Sequence, residues 1–174
     1  MSSLTVVLVL RAIHVVVGVL WVGAIVFIAA FLLPAVRAAG PAGGATMQQI
    51  VGARRLPAWM AGAMALTILS GLTLYWHDSA GFRSAWLGSG PGRTFGLGSA
   101  LAIAGGVYGM LVNAPTARRL AELGARIQGA SRAPAPEELA DIQRLQGRLG
   151  RAVLVVAVLF VLATLCMGVA RYVP

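Results

Sequence analysis

Two histidines carry most of the chemistry available to this 174-residue chain, because it contains no others. His14 lies near the start of one long apolar run, and His77 directly follows the end of another. Imidazole titrates near neutrality and binds metals through a ring nitrogen. Ionisable groups at the edge of apolar helices are functional candidates by default. If the two runs are neighbouring helices of opposite direction, both imidazoles reach the same end at one depth. Two such rings can hold the iron of a b-type heme, so His14 and His77 are the candidate metal ligands. Their surroundings suit that ligand. Arg11, His14, Gly18, Trp21 and Ile25 form one stripe at helical spacing, and Ser70, Thr73 and His77 share a face of the second run. Gly18 and Thr73, each one turn inward from its histidine, leave space for a porphyrin face, and Trp21 offers a flat ring for stacking. Arg11, Arg83 and Arg93 are cations suited to the heme propionates, and Asp78 is placed to orient an imidazole.

Other chemistry is sparse. Met47, Met60, Met64, Met110, Met167 and Cys166 are soft donors, so copper(I) is the second cofactor to consider. A single cysteine excludes an internal disulfide and any paired-cysteine metal site. There is no lysine for Schiff-base chemistry, no acid deep inside an apolar run for a proton relay, and no Ser-His-Asp, phosphate-loop or HExxH pattern.

The elements that must position these residues follow from composition. The chain is 59% hydrophobic and 11% charged, with mean hydropathy +0.84. Soluble domains run at about 45–50% apolar and about 25% charged, so a soluble enzyme and a disordered chain are both excluded. Four runs free of charge cover residues 12–33, 58–76, 95–113 and 152–170. A bilayer core of about 30 Å needs about 20 helical residues, and each run suffices for one crossing. The two-residue alternation of a membrane β-barrel is absent. The expected fold is an all-α, integral membrane, antiparallel four-helix bundle forming one domain over residues 1–174. The first run is too long, and too poor in early positive charge, for a cleaved signal peptide. Ten of the fourteen arginines flank the first and third connections. The positive-inside rule then sets these in the cytoplasm of a bacterial inner membrane, with both termini outside. Arginine beside apolar runs suits the lipid surface, and no nucleic-acid partner is expected.

Residues 114–151 are more than a linker. Leu120, Leu123 and Ile127 share a stripe, Pro136 suits a first helical position, and Glu137 and Glu138 oppose the helix dipole. Leu139, Ile142, Leu145 and Leu149 continue an apolar face into the fourth run. Around Ser131, Arg132, Ala133 and Pro134 the chain turns, predicting a cytoplasmic helical hairpin; helices lying on the membrane surface are the alternative. In the third run, Gly98, Ala102 and Gly106 form one small-residue row, and Gly105 with Gly109 another. Such rows let helices approach closely in lipid. They serve packing within the bundle or, through Gly98, Gly105, Gly106 and Gly109, the docking of other membrane subunits. Trp59, Trp76 and Tyr172 suit the interfaces, while Trp21 suits the bundle interior.

The first run reads His14, six residues, Trp21, one residue, Gly23-Ala24, then Phe27, Phe31 and Pro34. This resembles the opening helix of the copper-resistance protein D family and related small bacterial membrane proteins. Ser70-Gly71-Leu72 and the closing Met167 to Tyr172 segment look similar to the second and last helices of that group. The resemblance implies a membrane helical bundle with a role in copper handling. The membrane protoporphyrinogen IX oxidases share the His-x6-Trp opening but carry a functional lysine at the third span, where this chain has Arg93. Three functions follow: a heme b or redox-associated membrane protein using His14 and His77, a copper-handling protein using them with methionine, and a cofactor-free subunit of a larger complex.

Overall fold

A computed structural model describes residues 3–130 and 133–174. The expected turn residues Ser131 and Arg132 lie outside the described residues, as do Met1 and Ser2. Every element among the described residues is helical. They are α1 (Ser3–Phe27), α2 (Leu33–Ala38), α3 (Gly40–Gln48), α4 (Leu56–Asp78), α5 (Ser84–Leu87), α6 (Gly90–Tyr108), α7 (Ala114–Gly129) and α8 (Pro136–Val169). Four helical stretches are long and apolar enough to cross a membrane: Leu4–Ala38, Leu56–Asp78, Gly90–Gly129 and Pro136–Tyr172.

The first and third stretches outrun the apolar segments that announce them. Pro34 was expected to end the first span, yet helix continues to Ala38. A proline lacks the N–H for an i−4 bond, and its ring crowds that carbonyl. Here a π-helical turn, Ile28–Leu32, widens the backbone register just before the proline, and Pro34 falls in the first positions of α2. The same solution recurs at Gly109–Asn113 ahead of Pro115 in α7. The third span and its extension are thus one continuous helical stretch. At the other end of the first span, Arg11 lies inside α1 rather than before it.

The fourth span begins as its sequence implies. Pro136 opens α8, and the Ala135 N–H donates to the Glu138 carboxylate at 2.8 Å, which satisfies one of the free amides of the helix start. α8 then runs 34 residues without interruption. Leu123 and Leu149 of the extension are buried, and Leu149 forms a small core with Leu33 and Val153. Leu139 does not continue that core; it is exposed.

Two helix pairs form the membrane part. α1 lies along α4: Gly18 faces Thr67, His14 faces Gly71 and Arg11 meets Asp78, so numbers rise on one helix as they fall on the other. α6 lies along α8, with Gly98 against Ala163 and Gly105 against Phe160. The pairs meet where the Trp21 and Phe160 rings pack at a tilt of 54° with a centroid distance of 4.3 Å. Trp21 is buried there with Ile25, Ala63, Val156 and Ala157, as its depth implies. Trp59, Trp76 and Tyr172 are exposed. Large apolar side chains, among them Leu4, Val16, Leu69, Leu111 and Leu165, cover the outer surface, an arrangement stable only against lipid or another apolar partner.

Candidate functional site

His14 is fixed by three residues of α4. Its Nδ1 lies 2.9 Å from the Thr67 carbonyl oxygen and 3.3 Å from Ser70 Oγ. A carbonyl only accepts, so Nδ1 carries the proton and donates it to Thr67. The Ser70 hydroxyl is within bonding reach of the carbonyls of Leu66 and Thr67, its helical predecessors. In the neutral ring Nε2 is therefore the unprotonated nitrogen, and among the described residues it has no hydrogen-bond partner. Gly71 completes the seat. A Cβ at that position would stand 2.6 Å from His14 Cε1 and 3.0 Å from Nδ1. Only a glycine lets the imidazole lie against the α4 backbone.

A cavity of about 690 Å³ opens beside this ring, between the two helix pairs. Trp21 and Phe160 line it, with Val15, Val19, Ala102, Ile103 and Gly18 among its apolar walls. Arg11, Asp78 and Arg171 also line it. Arg11 donates to the Asp78 carboxylate at 3.2 Å, and both side chains are about one-third exposed (38% and 31%). Thr67 Oγ1 is buried and has no hydrogen-bond partner among the described residues; its residue lines the cavity too. A shallower vestibule of about 470 Å³ adjoins this end and shares Arg11, Asp78, Trp86, Phe95 and Arg171 with the cavity.

The candidate residues divide between these spaces. His14, Gly18, Trp21 and Arg11 line the cavity. His77 does not. It lines the vestibule only, about half exposed, with Nδ1 3.2 Å from Asp78 Oδ1. The expected common depth fails because the His14 ring rests on Thr67 and Gly71. Gly71 is six residues before His77, roughly 9 Å along the helix. Thr73 is exposed and donates to the Leu69 carbonyl instead of leaving room for a ligand. Arg83 and Arg93 are exposed and line neither space. Asp78 holds Arg11 as well as approaching His77.

Four contributors were not anticipated in these roles: the Thr67 carbonyl, Ser70, Gly71 and Arg171. Spacing holds a trace of them. Thr67, Ser70 and Gly71 stand at i, i+3 and i+4, and Arg171 brackets the fourth run at the end where Arg11 brackets the first.

No group of three or more His, Cys, Asp or Glu side chains is gathered as a metal site among the described residues. Of the soft donors, only Met167 lines the cavity with His14. Met60 and Met64 pack against the central core, Met47 against the second core, and Met110 is exposed. The glycine rows are largely consumed within the chain. A Cβ on Gly98 would meet Cys166 and Met167, on Gly105 Phe160, and on Gly106 Met64 and Trp21. Gly109 alone of the four expected docking glycines faces open space. Comparisons with protein-family models, characterised proteins and solved structures give no match.

Proposed function

We propose that this chain is a heme b-binding, redox-associated protein of the bacterial inner membrane, with His14 Nε2 as the iron ligand. One observation carries the reading. The Thr67 carbonyl holds Nδ1, which leaves the lone pair of Nε2 free on a residue that lines a cavity. A ligating histidine commonly donates its second ring N–H to a carbonyl in this way, which fixes tautomer and orientation.

The residues fit the group. A volume of about 690 Å³ falls within the range of about 300–1,000 Å³ usual for small-molecule sites. The walls are apolar, and Arg171, with Arg11 in its pair with Asp78, stands among the lining residues suited to a heme carboxylate. A bound heme would supply one-electron chemistry. The chain itself contributes ligation at His14, carboxylate binding at the arginines, and exclusion of water by Trp21 and Phe160. His77 leaves the ligand set in this reading.

The proposal includes an antiparallel four-helix bundle with outward termini and a cytoplasmic α7–α8 extension. The arginine asymmetry and the opposed numbering of the packed helices support it. The likeness of the first span to the copper-resistance protein D family belongs to the same proposal. Met167, which lines the same cavity as His14, favours copper(I) as the second reading, because thioether and imidazole together suit it. A third, a cofactor-free subunit, keeps Gly109 as its one open docking glycine.

The test is a reduced-minus-oxidised absorption spectrum of protein made in heme-replete cells, with metal analysis of the same sample. The expected result is a b-type spectrum that His14→Ala abolishes and His77→Ala preserves. A folded, colourless protein, or an unchanged spectrum in His14→Ala, overturns the assignment. Copper that depends on His14 and Met167 would establish the second reading in its place.

A further inference from the structure

The charged end of the cavity points to a ligand chemistry that does not depend on iron. Three charged residues, Arg11, Asp78 and Arg171, belong to both the cavity and the vestibule. Arg11 and Asp78 neutralise each other at 3.2 Å. Arg171 has no ion-pair partner among the described residues and is exposed. The net charge of the three is thus one positive, which matches a monoanion better than a doubly charged phosphate. Guanidinium presents a planar fork that fits a carboxylate with two parallel hydrogen bonds.

The body of the ligand is constrained by the walls. Val15, Val19 and Ile103 line the cavity and are 54%, 63% and 37% exposed, so the walls offer an accessible apolar surface. Apolar walls suit a hydrocarbon body, and the charged residues at the mouth suit an anionic end.

We propose that the mouth is a carboxylate-binding subsite for an amphiphile whose hydrocarbon body occupies the cavity, with Arg171 as the principal anion-binding residue. Arg11 lines the same mouth, and Asp78, paired with Arg11, acts as a resident competitor for that cation. The inference goes beyond the heme reading. Heme propionates and a free fatty acid carry the same carboxylate chemistry, and either can use the subsite.

The test uses the full chain in nanodiscs of zwitterionic phosphatidylcholine at pH 8. Binding of dodecanoate and of dodecanol is compared by titration. The acid should bind about tenfold more tightly than the alcohol, as a charge-assisted bidentate contact implies. Arg171→Gln should bring the two to parity, and Arg171→Lys should keep part of the preference because it keeps the charge. Asp78→Asn should raise the preference for acid over alcohol severalfold, read as the ratio of the two affinities in the same variant. Unfolding of each variant is followed in the same nanodiscs, so that a collapsed protein is not scored as lost binding. Equal affinity for acid and alcohol in the unmodified chain, or full acid preference in folded Arg171→Gln, overturns the subsite. Hemin titration separates the sources. Hemin that displaces dodecanoate and weakens in Arg171→Gln assigns the subsite to propionates. Absence of hemin binding with dodecanoate binding intact defeats the heme reading and leaves the subsite standing.

Discussion

Replacing Gly71 by alanine tests the seat of His14 without touching the histidine. The added Cβ would lie 2.6 Å from Cε1 and 3.0 Å from Nδ1, whereas carbon atoms in ordinary contact stand about 3.5–4.0 Å apart. The ring must retreat by about 1 Å. That retreat carries Nδ1 away from the Thr67 carbonyl, now at 2.9 Å, beyond the usual hydrogen-bond limit of about 3.2 Å. Losing the bond costs about 0.5–1.5 kcal/mol, and overpacking adds about 1–3 kcal/mol. Against this, alanine is better than glycine inside a helix by about 0.5–1 kcal/mol. The net expectation is destabilisation of about 1–3 kcal/mol.

The double-mutant cycle makes the argument specific. In a His14→Ala background no ring remains to clash, so Gly71→Ala should be neutral or stabilising by up to about 1 kcal/mol. The coupling between the two sites should then be about 1–4 kcal/mol. Reversible unfolding in detergent by increasing SDS measures all four corners. If Gly71→Ala has the same effect in both backgrounds, within about 0.5 kcal/mol, the ring does not rest on this glycine and the seat described above is wrong.

Three further outcomes are expected. Gly105→Ala should destabilise by about 1–3 kcal/mol, since its Cβ would stand 2.6 Å from Phe160 Cε1, while Gly109→Ala, with nothing within 4 Å, should change little; thermal unfolding in detergent distinguishes them. Thr67→Val removes a buried hydroxyl that has no partner and keeps the carbonyl that holds His14, so SDS unfolding of cofactor-free protein should show a gain of about 1 kcal/mol. Glu138→Ala removes the carboxylate that accepts the Ala135 N–H and should cost about 0.5–2 kcal/mol, read as faster amide exchange in the first turn of α8.

The four spans were legible because lipid leaves a chain few choices. A run of about 20 apolar residues must satisfy its backbone internally, and that requirement is written residue by residue. The start of α8 was equally plain, since Pro136, Glu137 and Glu138 combine a preset φ with charge at the helix dipole. Span ends were harder. Proline at 34 or 115 reads as a stop, but a π-helical turn one residue earlier lets the helix proceed. Nothing in Ile28–Leu32 announces that turn, because widening the register changes hydrogen bonding and leaves the apolar pattern intact. The glycine rows announced close packing and did not name the partner. Gly98, Gly105 and Gly106 meet side chains from distant parts of the same chain, whose arrival depends on how the two helix pairs dock.

At the site, the residue types were legible and their register was not. Depth counted from the edge of an apolar run puts His14 and His77 level. The observed level follows the packing of α1 on α4, in which Gly18 meets Thr67, His14 meets Gly71, and Arg11 and Asp78 pair at 3.2 Å. With Arg11 opposite Asp78, a residue three positions further along α1 lies one turn deeper in the bundle. Its ring then reaches past Leu74 to the Thr67 carbonyl and the bare backbone at Gly71. His77 lines the vestibule beside Asp78 and does not line the cavity. The same packing places the two histidines in different environments. One imidazole is oriented by a carbonyl and lines an apolar cavity; the other lies against a carboxylate at the entrance. Of the two imidazoles, His14 is the one whose ring is oriented by a backbone carbonyl.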